Sequence, residues 1–381
     1  MKDIYLDNAA TTPVRKEVLE AMKPYFSKKY GNPSSMHKQG LLANAAISEA
    51  REKISKILNC NSKEIIFTSG GTESVNLAIK GVALAKGEGH IIMQKTEHHA
   101  VLKTCEWLEK KGFAVTYLDV DEFGLVNPTD VKNAVRKDTI LVTVMYANNE
   151  IGTIQPISEI GKICKMKGVL FHTDACQAAG YLNLDVEKLN VDLMTINGSK
   201  IYGPKGSGLL FVKQGTKIEP GLHGGGQEFG LRSGTENVPS IVGFASALEL
   251  AQKEKASESN KLSRLRDKLI FELLKIPNTR LNGHPTRRLP NNINISYSGV
   301  EGESILLKLN ELGIFASTGS ACSAKDIKPS HVLLAIGLSH ELAHGSIRFS
   351  LGRNTTKKDI DYVLKVLPKI ISELRGMSPI R

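Results

Sequence analysis

A chain of 381 residues is longer than a single hydrophobic core usually grows, so two domains are expected. Hydrophobic residues make up 41% and charged residues 23%, as in an ordinary soluble globular protein. The net charge of +11 raises a nucleic-acid partner, yet the densest basic groups, KLSRLRDK from 261 and HPTRRLP from 284, are short and lack interleaved aromatics. They read as solvated faces, so no direct nucleic-acid contact is expected, while an acidic partner protein stays open. MKDIYLDNAATTP at the N-terminus has no apolar signal core, and no stretch approaches bilayer length, which points to a cytoplasmic protein without a membrane partner. The 5 cysteines, Cys60, Cys105, Cys164, Cys176 and Cys322, are odd in number, widely spaced and without a C-x-x-C pair. They fit neither a disulfide framework nor a structural zinc site and read as free thiols.

From about residue 64 to 212, short apolar or β-branched runs alternate with helical patterns. EIIFTSG, HIIMQ, AVTYLD, TILVTVMYA, GVLFHTDA, DLMTI and GLLFV read as strands, with helices starting near Thr72, His98, Thr129 and Pro156. This alternation predicts a mostly parallel sheet flanked by helices, with the chemistry in the loops beyond the strands' carboxyl ends. After the Gly-rich HGGGQEFGLRSGT (223–235) come a long helical stretch past residue 270, a strand NNINISYS, a helix from Glu301, the small-residue segment STGSACSA and a last helix from about Thr356. The pattern predicts a smaller α+β domain. The expected division is a large domain over 13–255 and a small one formed by 1–12 and 256–381.

Several strands end in polar residues with two readings each. Lys200, in NGSKIYGPKGSG, is a lysine snorkelling from a strand end, or one that condenses with a cofactor aldehyde. In TSGGTES, Gly71 and Thr72 open a helix whose N–H groups could cradle a phosphate. Asp174, in HTDACQ, is a helix cap or an acid facing a ring nitrogen, and Gln177 lies one helical turn on. His98, in TEHHA, is a cap or an aromatic surface for a flat cofactor; YANNEIG is a turn or a set of amide donors. Together these residue types match the needs of pyridoxal 5'-phosphate: a lysine, an acid, a phosphate cup and a stacked ring.

The motifs YLDNAATTP, FTSGGTES, KTEHHAVL, NNEIG, HTDACQ, KIYGPKG, GGGQEFGLRSGT, STGSACSA and ELAHGSIRFSLGR run through nearly the whole chain. In this order and near this spacing, they resemble those of group I cysteine desulfurases of the NifS/IscS type. These are class V aminotransferase relatives with the α/β fold of fold-type I pyridoxal phosphate enzymes: a large domain with a mostly parallel seven-stranded sheet, and a smaller α+β domain. The resemblance implies conversion of L-cysteine to L-alanine with a persulfide formed on the enzyme, in a homodimer with shared active sites. It implies sulfur delivery to acceptor proteins such as an iron–sulfur scaffold, and leaves tRNA thiolation open as a second outlet.

By position, the resemblance makes Lys200 the cofactor lysine, Asp174 the partner of the pyridine nitrogen and Gln177 the partner of the phenolic oxygen. His98 becomes the stacked ring and proton-transfer group, and Gly71 and Thr72 the phosphate contacts on the same subunit. Thr235 becomes a phosphate contact from across the dimer, Asn149 and Arg348 the carboxylate holders, and Cys322 the nucleophile. No resident metal is implied; transient cluster ligation by Cys322 is the one metal contact in view. Two departures stand out. Asn197 and Ser199 replace the serine and histidine that commonly touch phosphate, and the chain stops at SPIR, short of the tail by which many members dock a scaffold. Selenocysteine as a substrate is not excluded. Cys176 adjoins the cofactor residues but inherits no role.

Overall fold

A computed structural model describes residues 3–318 and 329–377. The first strand, β1 (Ile4–Tyr5), is short and pairs in parallel with β11 (Ile314–Phe315). The seven expected strand runs all form strands: β2 (Ile65–Thr68), β3 (His90–Gln94), β4 (Ala114–Leu118), β5 (Thr139–Thr143), β6 (Leu170–Asp174), β7 (Leu193–Asn197) and β8 (Gly208–Val212). Among the described residues they make one 7-stranded sheet in the order β2-β8-β7-β6-β5-β3-β4. Only β8 runs against its neighbours. Because it lies between β2 and β7, those two point the same way as the rest, and six carboxyl ends share one edge of the sheet.

Both faces of the sheet are covered, which is why the strands read as near-continuous apolar runs. Alternate side chains go to opposite faces. Ile65 and Phe67 of β2 join Val142, Phe171, Met194 and the helices Lys38–Leu58 and Val238–Leu273 on one side. Ile66 joins Ile91, Met93, Leu141 and the helices Gly71–Lys86 and His99–Glu109 on the other. A second core gathers Ile293, Ile295, Tyr297, Ile347 and Phe349 with the C-terminal helix Lys357–Met377. Its sheet is antiparallel, in the order β12-β10-β9, with β9 (Thr279–Leu281), β10 (Asn292–Tyr297) and β12 (Ser346–Ser350). The helix Val238–Leu273 serves both cores: Phe244 and Leu248 pack with the large sheet, Leu262 and Leu269 with the small one.

Candidate active site

The shared edge collects the polar residues. At the end of β2 the backbone turns through Gly70, whose φ of 150° suits glycine, and the helix Gly71–Lys86 begins; a Cβ on Gly208 would come within 2.7 Å of the Gly70 Cα, so β8 also needs glycine there. A Cβ on Gly71 would come within 2.9 Å of the Cys176 sulfur and 3.6 Å of Asn197 Nδ2. The free N–H groups of this helix start therefore lie against the turns after β6 and β7, a cradle that a side chain would fill. Thr72 is exposed at its mouth. After β7, Asn197 caps the turn Gly198–Lys200: its Oδ1 accepts from Ser199 N at 3.1 Å and Ser199 Oγ at 3.2 Å. The turn leaves Lys200 half-buried, its Nζ donating to the Ala10 carbonyl.

Asp174, 7% exposed, ends β6, and its Oδ1 accepts from Cys176 N at 2.9 Å. Below it on the same strand, His172 is fixed between Thr143 (2.8 Å) and Thr195 (3.0 Å), rungs on β5 and β7. Burial holds its imidazole down to about 4, so it is neutral near pH 7. Burial and the Asp174 carboxylate push the Cys176 thiol well up, which keeps it protonated and a poor nucleophile. Gln177 Nε2 donates to the Ala9 carbonyl at 3.0 Å. His98 does cap a helix: its Nδ1 accepts from Ala100 N at 3.1 Å.

The turn after β5 is built by Asn148, whose Oδ1 accepts from Glu150 N (2.8 Å) and Ile151 N (3.0 Å). It presents the Asn149 carbonyl to Arg348 Nη1 at 3.1 Å. Arg348, on β12 and 2% exposed, also donates from Nη2 to Asp7 Oδ1 at 2.7 Å, and its Nε has no hydrogen-bond partner among the described residues. A buried guanidinium with an unused donor, beside a cradle of free N–H groups and a half-buried lysine, fits a substrate carboxylate and a phosphorylated aldehyde cofactor.

Ten of the expected residues thus gather at one edge: Gly71, Thr72, His98, Asn149, Asp174, Gln177, Asn197, Ser199, Lys200 and Arg348. Thr235 is not drawn in; among the described residues it stays exposed, although Arg232 of its segment pairs with Glu73 at 2.9 Å beside the cradle. Cys322 lies outside the described residues, as does the SPIR terminus. The sequence reading missed residues 7–12 as a structural link. Asp7 holds Arg348, the carbonyls of Ala9 and Ala10 receive Gln177 and Lys200, and Thr12 N and Oγ1 donate to the Ser199 carbonyl at 2.9 and 3.0 Å. Their clustering in the quoted YLDNAATTP was the available signal.

The chain matches the Aminotransferase class-V family over residues 4–363 and belongs to it. It is 56% identical over 382 residues to the "Cysteine desulfurase IscS" of Methanosarcina thermophila, covering 100% of this chain and 94% of that one. It is 57% identical to the protein of the same name from Dictyoglomus turgidum, covering 99% and 97%. Among solved structures, a "NIFS-like protein" aligns with a TM-score of 0.92 at 40% identity over 98% of this chain and 100% of that one. "SspA in complex with cysteine" aligns at 0.82 and 40%, over 91% and 98%. Within the class, the chain belongs to the cysteine desulfurases, which are pyridoxal-phosphate enzymes.

Proposed function

We propose that this cysteine desulfurase converts L-cysteine to L-alanine by moving the substrate sulfur onto Cys322 as a persulfide. The sulfur then passes to acceptor proteins such as an iron–sulfur scaffold. The observation that carries the reading is the meeting of a buried carboxylate-binding fork, Arg348 on the Asn149 turn, with Asp174, Lys200 and the Gly71 cradle on one sheet edge. The bound pyridoxal phosphate supplies an electron sink for bonds broken at the substrate α-carbon. Gly71, Thr72, Asn197 and Ser199 would hold its phosphate, Asp174 would face its ring nitrogen, Gln177 its phenolic oxygen, and His98 would lie against its ring. Arg348 and Asn149 orient the substrate carboxylate, and the Lys200 amine takes the α-proton. Cys322, as thiolate, attacks the substrate sulfur; the carbon–sulfur pair goes to the β-carbon, which gains a proton, and the α-carbon regains the one it lost, giving alanine.

The chain divides into domains over 13–255 and 1–12 with 256–381, and works in the cytoplasm as a two-fold homodimer in which Thr235 completes the partner's phosphate site. Phe26, Tyr30, Met36 and Leu41, all more than half exposed, support a covered surface near the N-terminal helices. No described helix is long and apolar enough to cross a membrane. Borohydride reduction of the purified holoenzyme followed by peptide mapping tests the assignment. The pyridoxyl group is expected on Lys200, and finding it on Lys205 would overturn the reading.

A further inference from the structure

Glu97 immediately precedes His98 and is fully buried, 0% exposed. A carboxyl group so placed is costly unless something holds it or it gives up its charge. Its Oε1 accepts from Met145 N at 2.5 Å, joining the turn after β3 to the continuation of β5. Among the described residues its Oε2 has no hydrogen-bond partner. Its backbone carbonyl meets the ring of His331 at 2.9 Å, and that ring packs on His99 with centroids 4.8 Å apart. His331 opens the helix His331–Ala335, whose cap Ser330 donates to the buried carboxylate oxygen Oε2 of Glu150 at 2.5 Å. One residue therefore receives ties from β5 through its side chain and from the 330s helix through its main chain, and the next residue is His98.

We propose that Glu97 is a positioning residue for the reaction: its buried carboxyl and carbonyl fix the peptide unit that carries His98, and so set the pose of the His98 ring. The inference rests on the proposed function, which gives His98 its place against the cofactor. Burial first, and then the charge of Asp174, pushes the Glu97 carboxyl well above the usual range, so it stands as an uncharged acid. An ionised Glu97 would put a second anion near Asp174. The neutral group supplies the tie to Met145 without that repulsion, and an amide of the same shape supplies it equally well.

The test compares the Glu97→Gln and Glu97→Leu holoenzymes. It measures kcat and KM for L-cysteine, the visible circular dichroism of the bound cofactor, and thermal melting. Glu97→Gln is expected to stay within about threefold of the parent in kcat, with an unchanged dichroism band. Glu97→Leu is expected to lose roughly tenfold or more in kcat, since a small misplacement of a reacting group costs that much, with KM nearly constant and the band weakened. His331→Leu removes the other tie on the same residue and is expected to show the same changes at smaller size, even if Glu97→Leu fails to fold. A loss in Glu97→Gln as large as in Glu97→Leu would overturn the inference. So would a Glu97→Leu or His331→Leu protein with unaltered kcat and dichroism, or a loss confined to KM. A parent protein without turnover of L-cysteine would instead refute the proposed function, while the dichroism comparison would still report the His98 pose.

Discussion

On the side of β2 and β7 the candidate site is made of backbone and small side chains. Gly70 and Gly71 bring a helix start against Asn197 and Cys176, and the anchoring contacts, such as Asn197 to Ser199, are local in the chain. On the side of β12 it is made of a buried charge held by distant segments: Arg348 meets Asp7 and the Asn149 carbonyl, 341 and 199 residues away. The first arrangement depends on the absence of side-chain bulk and tolerates solvent at its mouth. The second depends on charge pairing in a place where an unpaired partner is expensive. The two sides should therefore fail differently when disturbed.

Arg348→Ala should have the largest effect. It removes the fork expected to hold the substrate carboxylate and leaves Asp7 without its cation. Charge-assisted hydrogen bonds of this kind imply a rise in KM for L-cysteine of roughly 100-fold, read by steady-state kinetics. A stability loss of about 3 kcal/mol, read by denaturant unfolding, should accompany it. An unchanged KM would move carboxylate recognition elsewhere and dissolve the contrast between the two sides.

A middle-sized effect comes from the sheet beneath Asp174. His172 is depressed from an ordinary 6.5 to about 4 by burial. Above 6.5 neither the folded nor the unfolded state carries its proton. As the pH falls through 6.5 the unfolded state binds a proton that the folded state refuses, so stability declines down to about 4 and levels off below it. Between pH 7 and pH 5 the loss from this residue should be about 2 kcal/mol, seen as a shift in urea midpoint. His172→Gln should flatten that part of the profile. An unaltered profile in the variant would mean that other groups carry the acid sensitivity.

The smallest effect sharpens the picture of the cradle. Gly71→Ala adds a methyl group 2.9 Å from the Cys176 sulfur, at a helix position where alanine is otherwise welcome. Affinity for pyridoxal phosphate, measured by fluorescence quenching of the reconstituting protein, should fall by roughly tenfold, about 1.4 kcal/mol. Cys176→Ala in the same chain should restore most of it, because the crowding atom is gone. Failure of the second substitution to rescue the first would show that the methyl group itself obstructs the cradle, whatever its contact with Cys176.

What could be read in the sequence follows the same division. The strands of the large sheet were legible because each is a short β-branched run bounded by Gly or polar residues. Asp174, Lys200 and His98 were legible because each sits where such a run ends. The reversed direction of β8 was not, since GLLFV pairs equally well either way until its neighbours are known. Nor was the pairing of Asp7 with Arg348, because nothing local to DNAATT names a partner 341 residues away. Nothing in TEHHA singles out Glu97; its complete burial depends on how β3, β5 and the 330s helix converge. His98 caps its helix at the edge of the candidate site, so its two readings do not exclude one another.

The central claim, that the substrate sulfur passes to Cys322, is tested most directly by mass spectrometry of the cysteine-containing peptides after a single turnover with L-cysteine, with alanine quantified in the same sample. The account predicts one extra sulfur atom on the Cys322 peptide for each alanine formed, and none on Cys322→Ala. Extra sulfur on the Cys176 peptide, or alanine formed with Cys322 unmodified and sulfide released directly, would contradict it.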